Sequence, residues 1–355
     1  MSNHLTISIL TSVPYSNLNR DDNGTPKRVT VGGALRALHS SQSVKRGIRV
    51  AYENASLDRS VRSGNLAGEI VAKALEIDPQ ADEKALAKAA KTLVGALTKG
   101  GGKEDGGDEG GSARSSWLSE EEITTAATTI LGKTDADFIK EGKTGSLAIA
   151  AFGRMFANAP QKNTEAALSV SPGVTTHAAT IETDYFSTVD DVKEREGETG
   201  ATFLGVAQYT NGIFYRTISI DKAQLKESWT GFGQGNAEGN LRDLITAIIY
   251  GLPRGKENST APYIQPALVL AEEQQYRTAY DFETPVRNAQ EGGYLAPSIE
   301  HLAKQYKQAR NFDPDNFGPV EVLTGTYDGL DGRFGDLKAT SLKEFIDTVV
   351  EWIQQ

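Results

Sequence analysis

A change of hydrophobic period along the chain constrains its fold most. Leu5, Ile7 and Ile9 alternate with Thr6 and Ser8, the period-2 pattern of a strand with one buried face. From Ala55 to about Gly145 the pattern turns helical, with apolar faces over Leu66–Ile77 and Asp82–Leu97 and a capping box, Ser119-x-x-Glu122, ahead of Ile123. Strand character returns at Leu147–Phe156 and Ala166–Thr176, although the first is equally compatible with a helix on propensity alone. Sheet-forming segments with an all-helical stretch set between them predict an α+β protein carrying an inserted helical lobe. The 355 residues suffice for one substantial core and a lesser lobe. Inside the lobe, Gly100 to Gly111 consists of seven glycines and five charged residues, which have nothing to bury and predict a mobile linker near 100–116.

Other local signals fill in the frame. Arg28–Val31 reads as a short strand broken by Gly32-Gly33. Ser40 or Ser41 caps a helix whose Val44, Ile48 and Ala51 face inward, leaving Gln42, Lys45 and Arg49 on another face. Asn211-Gly212, between β-prone runs over Phe203–Ile220, signals a hairpin turn or a bulge. A helix over Leu241–Tyr250, a basic loop at Pro253–Lys256, a strand over Tyr263–Leu270 and a helix from Ser298 follow. The chain closes on a helix capped by Ser341-x-x-Glu344, with Leu342, Phe345, Ile346, Val349 and Ile353 on one face.

Composition narrows the chemistry. With no cysteine and four histidines, disulfides, thiolate metal sites and cysteine nucleophiles are excluded, and neither a metal nor a cofactor is expected. No apolar run approaches the ~20 residues of a membrane span and no basic leader precedes the first strand, so the expected location is the cytoplasm. The formal charge of −10 argues against a polyanionic partner only until its distribution is read. Met1–Asn54 carries seven Lys/Arg against three acids, whereas Glu182–Glu198 carries seven acids against two cations. A basic groove on an acidic protein is physically reasonable.

The run Ser40-Ser41-Gln42-Ser43-Val44-Lys45-Arg46 pairs a helix N-terminus, with its unbonded N–H groups, with cations on one face, a plausible seat for phosphate. An ordinary solvated helix has the same composition. Together with Leu18-Asn19-Arg20-Asp21-Asp22, Gly153-Arg154-Met155, Thr175-Thr176-His177, Asp184 to Asp191 and Gly212-Ile213-Phe214-Tyr215-Arg216, this run resembles the CasC family. CasC is the repeated backbone subunit of the type I-E CRISPR surveillance complex, Cascade, within the RAMP superfamily. The resemblance covers the first fifty residues and about Gly145 to Asp221 well, and the rest in layout only.

That resemblance implies an RRM-like (ferredoxin-like) palm over 1–54, 146–180 and 212–355, helical fingers over 55–145 and a β-hairpin thumb over 181–211. It implies a protein without catalytic residues that polymerises along a CRISPR RNA and kinks it at intervals. Its partners would be that RNA, neighbouring copies in a helical filament, other Cascade subunits and complementary target DNA, with no membrane. Carried over by position, Arg20, Lys27, Ser40, Gln42, Lys45 and Arg49 would lie on the RNA backbone. Met155 and Leu204 would wedge beside a displaced nucleotide, and Tyr185-Phe186-Ser187 would lie along the thumb. Core packing is the ordinary account of Met155 and Leu204. Arg46, Arg254 and Lys256 are possible further phosphate contacts. One departure stands out: Ser171-Pro172-Gly173 occupies the place of the family's usual Ala-His-Ala. The rival reading is a metal-dependent ribonuclease using Asp21 and Asp22, because adjacent loop carboxylates can hold a water-activating ion; capping a turn is their plainer role.

Overall fold

The computed structural model describes residues 3–98, 115–188, 195 and 203–355. Nearly all of the glycine-rich run near 100–116, and most of the acidic stretch beyond Thr188, lie outside the described residues. The strands are β1 (His4–Ser16), β2 (Arg28–Val31), β3 (Ala34–His39), β4 (Ser60–Ser63), β5 (Ser116–Ser119), β6 (Leu168–Val170), β7 (Gly173–Thr175), β8 (Ile181–Thr188), β9 (Phe203–Asp221), β10 (Leu268–Gln274) and β11 (Phe317–Thr324). The α-helices are α1 (Ser41–Ala55), α2 (Leu66–Ile77), α3 (Glu83–Thr98), α4 (Glu120–Ile130), α5 (Leu147–Phe152), α6 (Lys222–Ser228), α7 (Ala237–Tyr250), α8 (Glu257–Thr260), α9 (Leu295–Phe312) and α10 (Leu342–Gln354). The protein is α+β. It divides into two compact units, one of Met1–Ile48, Val170–Ser219 and Ala247–Val349, the other of Arg49–Ser169, Ile220–Thr246 and Val350–Gln355.

The first unit is built on a sheet of order β11-β10-β1-β9-β7-β3-β2, with β6 and β8 also pairing with β9. β1 runs antiparallel to β10, with Ile7 opposite Ala271. Both of its faces are buried: Thr6 and Ser8 are as enclosed as Leu5, Ile7 and Ile9. The alternation that predicted one wet face holds instead because the hydroxyls are satisfied inside, Thr6 Oγ1 donating to Gln274 Oε1 at 2.8 Å and Ser8 Oγ lying 3.2 Å from Tyr215 Oη. Leu10 joins Leu268, Leu270, Ile299, Leu302 and Phe334 in one core, and Val13, Leu18, Ala37 and Phe214 form another.

Gly32 and Gly33, at φ 56° and 73°, supply the two left-handed positions of a tight turn joining β2 to β3, so they continue a hairpin where the sequence suggested only a break. Asn211-Gly212 makes no turn. β9 stays extended through it, and a Cβ on Gly212 would lie 2.9 Å from His177 Nε2, which explains the glycine by close approach. The strand expected over Tyr263–Leu270 forms later, as β10, after Pro262 and Pro266.

The second unit packs α2, α3 and α4 through Leu66, Ile70, Ala74, Leu86, Ala90, Ile123 and Ala127. The capping box forms with both of its bonds. Leu147–Phe156 resolves its ambiguity toward helix: Ser146 caps α5, its alanines favour it, and Gly153 at φ 77° ends it. Asp58 fixes that start, accepting from Leu147 N at 2.8 Å and Tyr52 Oη at 2.9 Å.

Within the first unit Glu272 and Glu321 stand directly opposite one another on β10 and β11, a like-charge pair that Arg310 bridges by donating to both. Burial pushes the Glu272 carboxyl up to about 7 despite Arg310 and Tyr280. A carboxyl that binds its proton more tightly folded than unfolded stabilises fully below its unfolded value of ~4.3, and that contribution is lost as pH climbs toward 7. Denaturant unfolding of Glu272→Gln should therefore gain on wild type between pH 5 and pH 8. A gap that stays constant over that range contradicts the assignment.

Candidate nucleic-acid interface

Asn19 organises the first cationic group. Its Oδ1 accepts from Ser40 N at 2.7 Å and its backbone oxygen from Lys27 N at 2.8 Å, so the Leu18–Lys27 loop is tied to the start of α1. Asn17 Nδ2 adds bonds to Gly24 O and Gln208 O, both at 2.9 Å. Arg20, Lys27, Ser40, Gln42, Lys45 and Arg46 are thereby brought together. Arg20, Gln42 and Arg46 are exposed, while Lys27, Ser40 and Lys45 are half-buried. Ser40 is the cap, its Oγ accepting from Ser43 N at 3.4 Å.

Asp21 holds the loop rather than pointing at a ligand. One carboxylate oxygen accepts from Asn23 N at 3.0 Å and Thr25 N at 2.9 Å, the other from Thr25 Oγ1 at 2.6 Å, and these bonds, the Thr25 hydroxyl foremost, hold its carboxyl below the usual range. Asp22 is exposed beside it.

A third segment reaches the same place through a residue to which the sequence assigned no role. Arg216, on β9, is buried and donates to Ile248 O at 3.1 Å, Ile249 O at 2.8 Å and Gly251 O at 2.7 Å, neutralising the carbonyls at the end of α7. Burial lowers its guanidinium to about 10. Beyond it the chain passes so near α1 that a Cβ on Gly47 would stand 2.1 Å from Leu252 O. Gly255 N then donates to Leu18 O at 2.9 Å, seating the basic loop on the loop that carries Arg20. Its two cations differ: Arg254 is held by both oxygens of Glu257 at 2.6–2.9 Å, whereas Lys256 Nζ lies 5.5 Å above the Tyr209 ring.

β8 and the first half of β9 form an antiparallel ribbon with Tyr185 opposite Val206 and Ser187 opposite Leu204. Period-2 geometry splits the Tyr185-Phe186-Ser187 run. Tyr185 and Ser187 share a face with Leu204 and Val206, and those three large side chains are 59–69% exposed. Phe186 turns to the other face and covers Gly205, where a Cβ would meet its ring at 2.3 Å.

The remaining two expected residues belong to the second unit. Arg49 pairs with Glu53 at 3.2 Å and lies 5.3 Å from the Trp117 ring centre, so much of its charge is used locally. Met155 is 74% exposed between buried Arg154 and Phe156, and Arg154 is anchored by Glu122 and by Trp117 O. With Leu204 at 68%, core packing is excluded for both apolar side chains.

A family model described as "CT1975-like protein" (Cas_CT1975) matches residues 5–352. The chain belongs to the CT1975-like protein family. Its fold superimposes on a chain of a structure described as "CRISPR RNA-guided surveillance complex, pre-nicking" with a TM-score of 0.80 and 26% identity, covering 99% of this chain and 100% of the other. A second, "CRISPR RNA-guided surveillance complex", gives 0.71 and 22% over 98% and 99%, which speaks to fold. Comparison with curated proteins finds no match.

Among the described residues of this CT1975-like protein, no three His, Asp or Glu side chains gather as a metal site, and no helix is long and apolar enough to cross a membrane. His177 is structural: Nε2 accepts from Ile213 N at 3.1 Å, Nδ1 donates to Ala178 O at 2.8 Å, and the ring stacks on Tyr294 at 3.7 Å. Burial lowers its imidazole, so it stays neutral. Ser171 Oγ accepts from Thr217 N at 2.8 Å, giving the Ser171-Pro172-Gly173 segment a bond to β9.

Arg216→Met leaves three buried carbonyls unpaired and should cost about 3 kcal/mol of stability. Thermal unfolding checks this; a melting temperature within a degree of wild type contradicts the capping role.

Proposed function

We propose that this CT1975-like protein is a guide-RNA-binding backbone subunit of a Cascade-type surveillance complex, the CasC subunit of type I-E. The convergence of the Arg20 loop, the capped start of α1 and the Lys256 loop supports this most directly. These groups suit a sugar-phosphate rail: cations, a serine cap and helix N–H groups, which position a strand without reading its bases. Such contacts accept any guide, leaving sequence to be read by base pairing with target DNA. Likeness over nearly the whole of a chain from a surveillance complex agrees with this reading.

In it, the antiparallel sheet is an RRM-like palm, the α2–α4 bundle the fingers and the β8–β9 ribbon the thumb. Met155 and Leu204, too exposed for a core role, are the wedges that unstack the strand at intervals. Copies polymerise along the RNA in the cytoplasm beside other Cascade subunits, and the subunit does no chemistry. The ribonuclease reading is less favoured, because Asp21 spends both oxygens on the Asn23–Thr25 turn.

Protein purified with its guide should carry small RNA whose affinity falls steeply with salt. Lys45→Ala should weaken binding for every sequence alike and flatten the salt slope by about 0.7, the share of one phosphate on a single strand. A loss confined to some sequences contradicts a backbone grip. Incubation of RNA with Mg²⁺ or Mn²⁺ should yield no cleavage; products that vanish with Asp21→Ala or Asp22→Ala establish the ribonuclease instead.

A further inference from the structure

Next to the cationic junction lies an aromatic pair that nothing above uses. Tyr15, the last residue but one of β1, has 40% of its surface exposed, and its ring centre is 4.5 Å from that of half-buried Tyr209, tilted by 32°. Lys256 Nζ sits over Tyr209. Glu182 is directly opposite Tyr209 in the ribbon, and Asp184, two residues on, shares its face. Both carboxylates lie near the Tyr15 phenol, and after desolvation they are what holds it above its ordinary value, so it remains a hydroxyl donor.

The backbone around the pair is fixed. Asn17 donates to Gln208 O beside Tyr209, and Gly255 donates to Leu18 O beside Lys256. The pair is therefore fastened to the loop that carries Arg20.

We infer that Tyr15 and Tyr209 form a stacking subsite for one unpaired base of single-stranded RNA, with Lys256 on its phosphate. The inference rests on the RNA-binding reading and extends it from rail contacts to a base contact. An exposed tyrosine pair offers a π surface that every base can use, so the subsite tolerates any sequence. Glu182 and Asp184 repel phosphate from the ring face and accept hydrogen bonds from base amino groups, which sets base against ring and backbone against lysine. An arginine of a protein partner is the competing occupant of an acidic aromatic patch; the cation already over Tyr209 and the adjoining Arg20 loop disfavour it.

The test uses the full-length protein and single-stranded RNA carrying one 2-aminopurine, moved position by position. In wild type, fluorescence at one or more positions should be quenched on binding. Tyr15→Ala and Tyr209→Ala should each weaken binding roughly tenfold, the loss of a stacked base, and abolish the quenching, while the Phe variants keep both. If Tyr209→Ala does not fold, the exposed Tyr15→Ala decides alone. Lys45→Ala should weaken binding yet retain quenching at saturation. If Tyr15→Ala binds and quenches like wild type while Lys45→Ala is weakened, the subsite is wrong and the RNA reading stands. If Tyr15→Ala leaves RNA binding intact but abolishes self-association, the patch serves protein and the inference fails. Absence of RNA binding by wild type overturns the RNA reading itself.

Discussion

Three segments distant in sequence approach one another at backbone distance, and the surface chemistry of the first unit depends on that approach. Asn19 bonds the Leu18–Lys27 loop to Ser40, Gly255 bonds the basic loop to Leu18, and Gly47 leaves α1 no gap from Leu252. A side chain at either glycine would collide with a carbonyl oxygen, which cannot yield as a flexible side chain can. The buried Arg216 holds the far end of this arrangement by satisfying three helix carbonyls at once. Like charges drawn together repel, and the bonds through Asn19 hold the segments that carry Arg20, Lys27 and Lys45 against that repulsion, as preorganised anion sites require.

Local charge balance distinguishes cations of equal formal charge. Arg254 and Arg49 each answer to a glutamate three or four residues away, whereas Lys256 rests on a tyrosine. The acidic excess of the chain includes the exposed Glu182 and Asp184 of β8. A negative total charge therefore sits beside a locally basic surface without conflict.

Much of the fold was legible in the sequence where local signals are self-sufficient. The span of α2, the Ser119–Glu122 box and the Ser341–Glu344 cap match the chain as folded, because caps and 3.6-residue periodicity act within a few residues. Short apolar or glycine-bearing stretches were less legible. Leu147–Phe152 is a helix through a cap and an Asp58 anchor 89 residues away, and Asn211-Gly212 is extended within β9, its glycine accounted for by the close approach of His177. Of the candidate site, spacing placed Gln42, Lys45 and Arg49 on one face of a helix and the resemblance added Arg20 and Lys27, but neither told which cations are spent on internal partners, as Arg49 is on Glu53. Arg216 gave no signal of its own, since a buried capping arginine reads like any other cation until the helix end it serves is known. The split of Tyr185 and Phe186 onto opposite faces follows from strand period once register is fixed.

Photocrosslinking of the protein to its co-purified RNA, read by mass spectrometry peptide by peptide, tests the central claim most directly. Crosslinks should concentrate in the Leu18–Lys27 loop, the Ser40–Arg46 turn and the Lys256 loop. RNA crosslinked only to other surfaces, with these three segments untouched, would contradict the account.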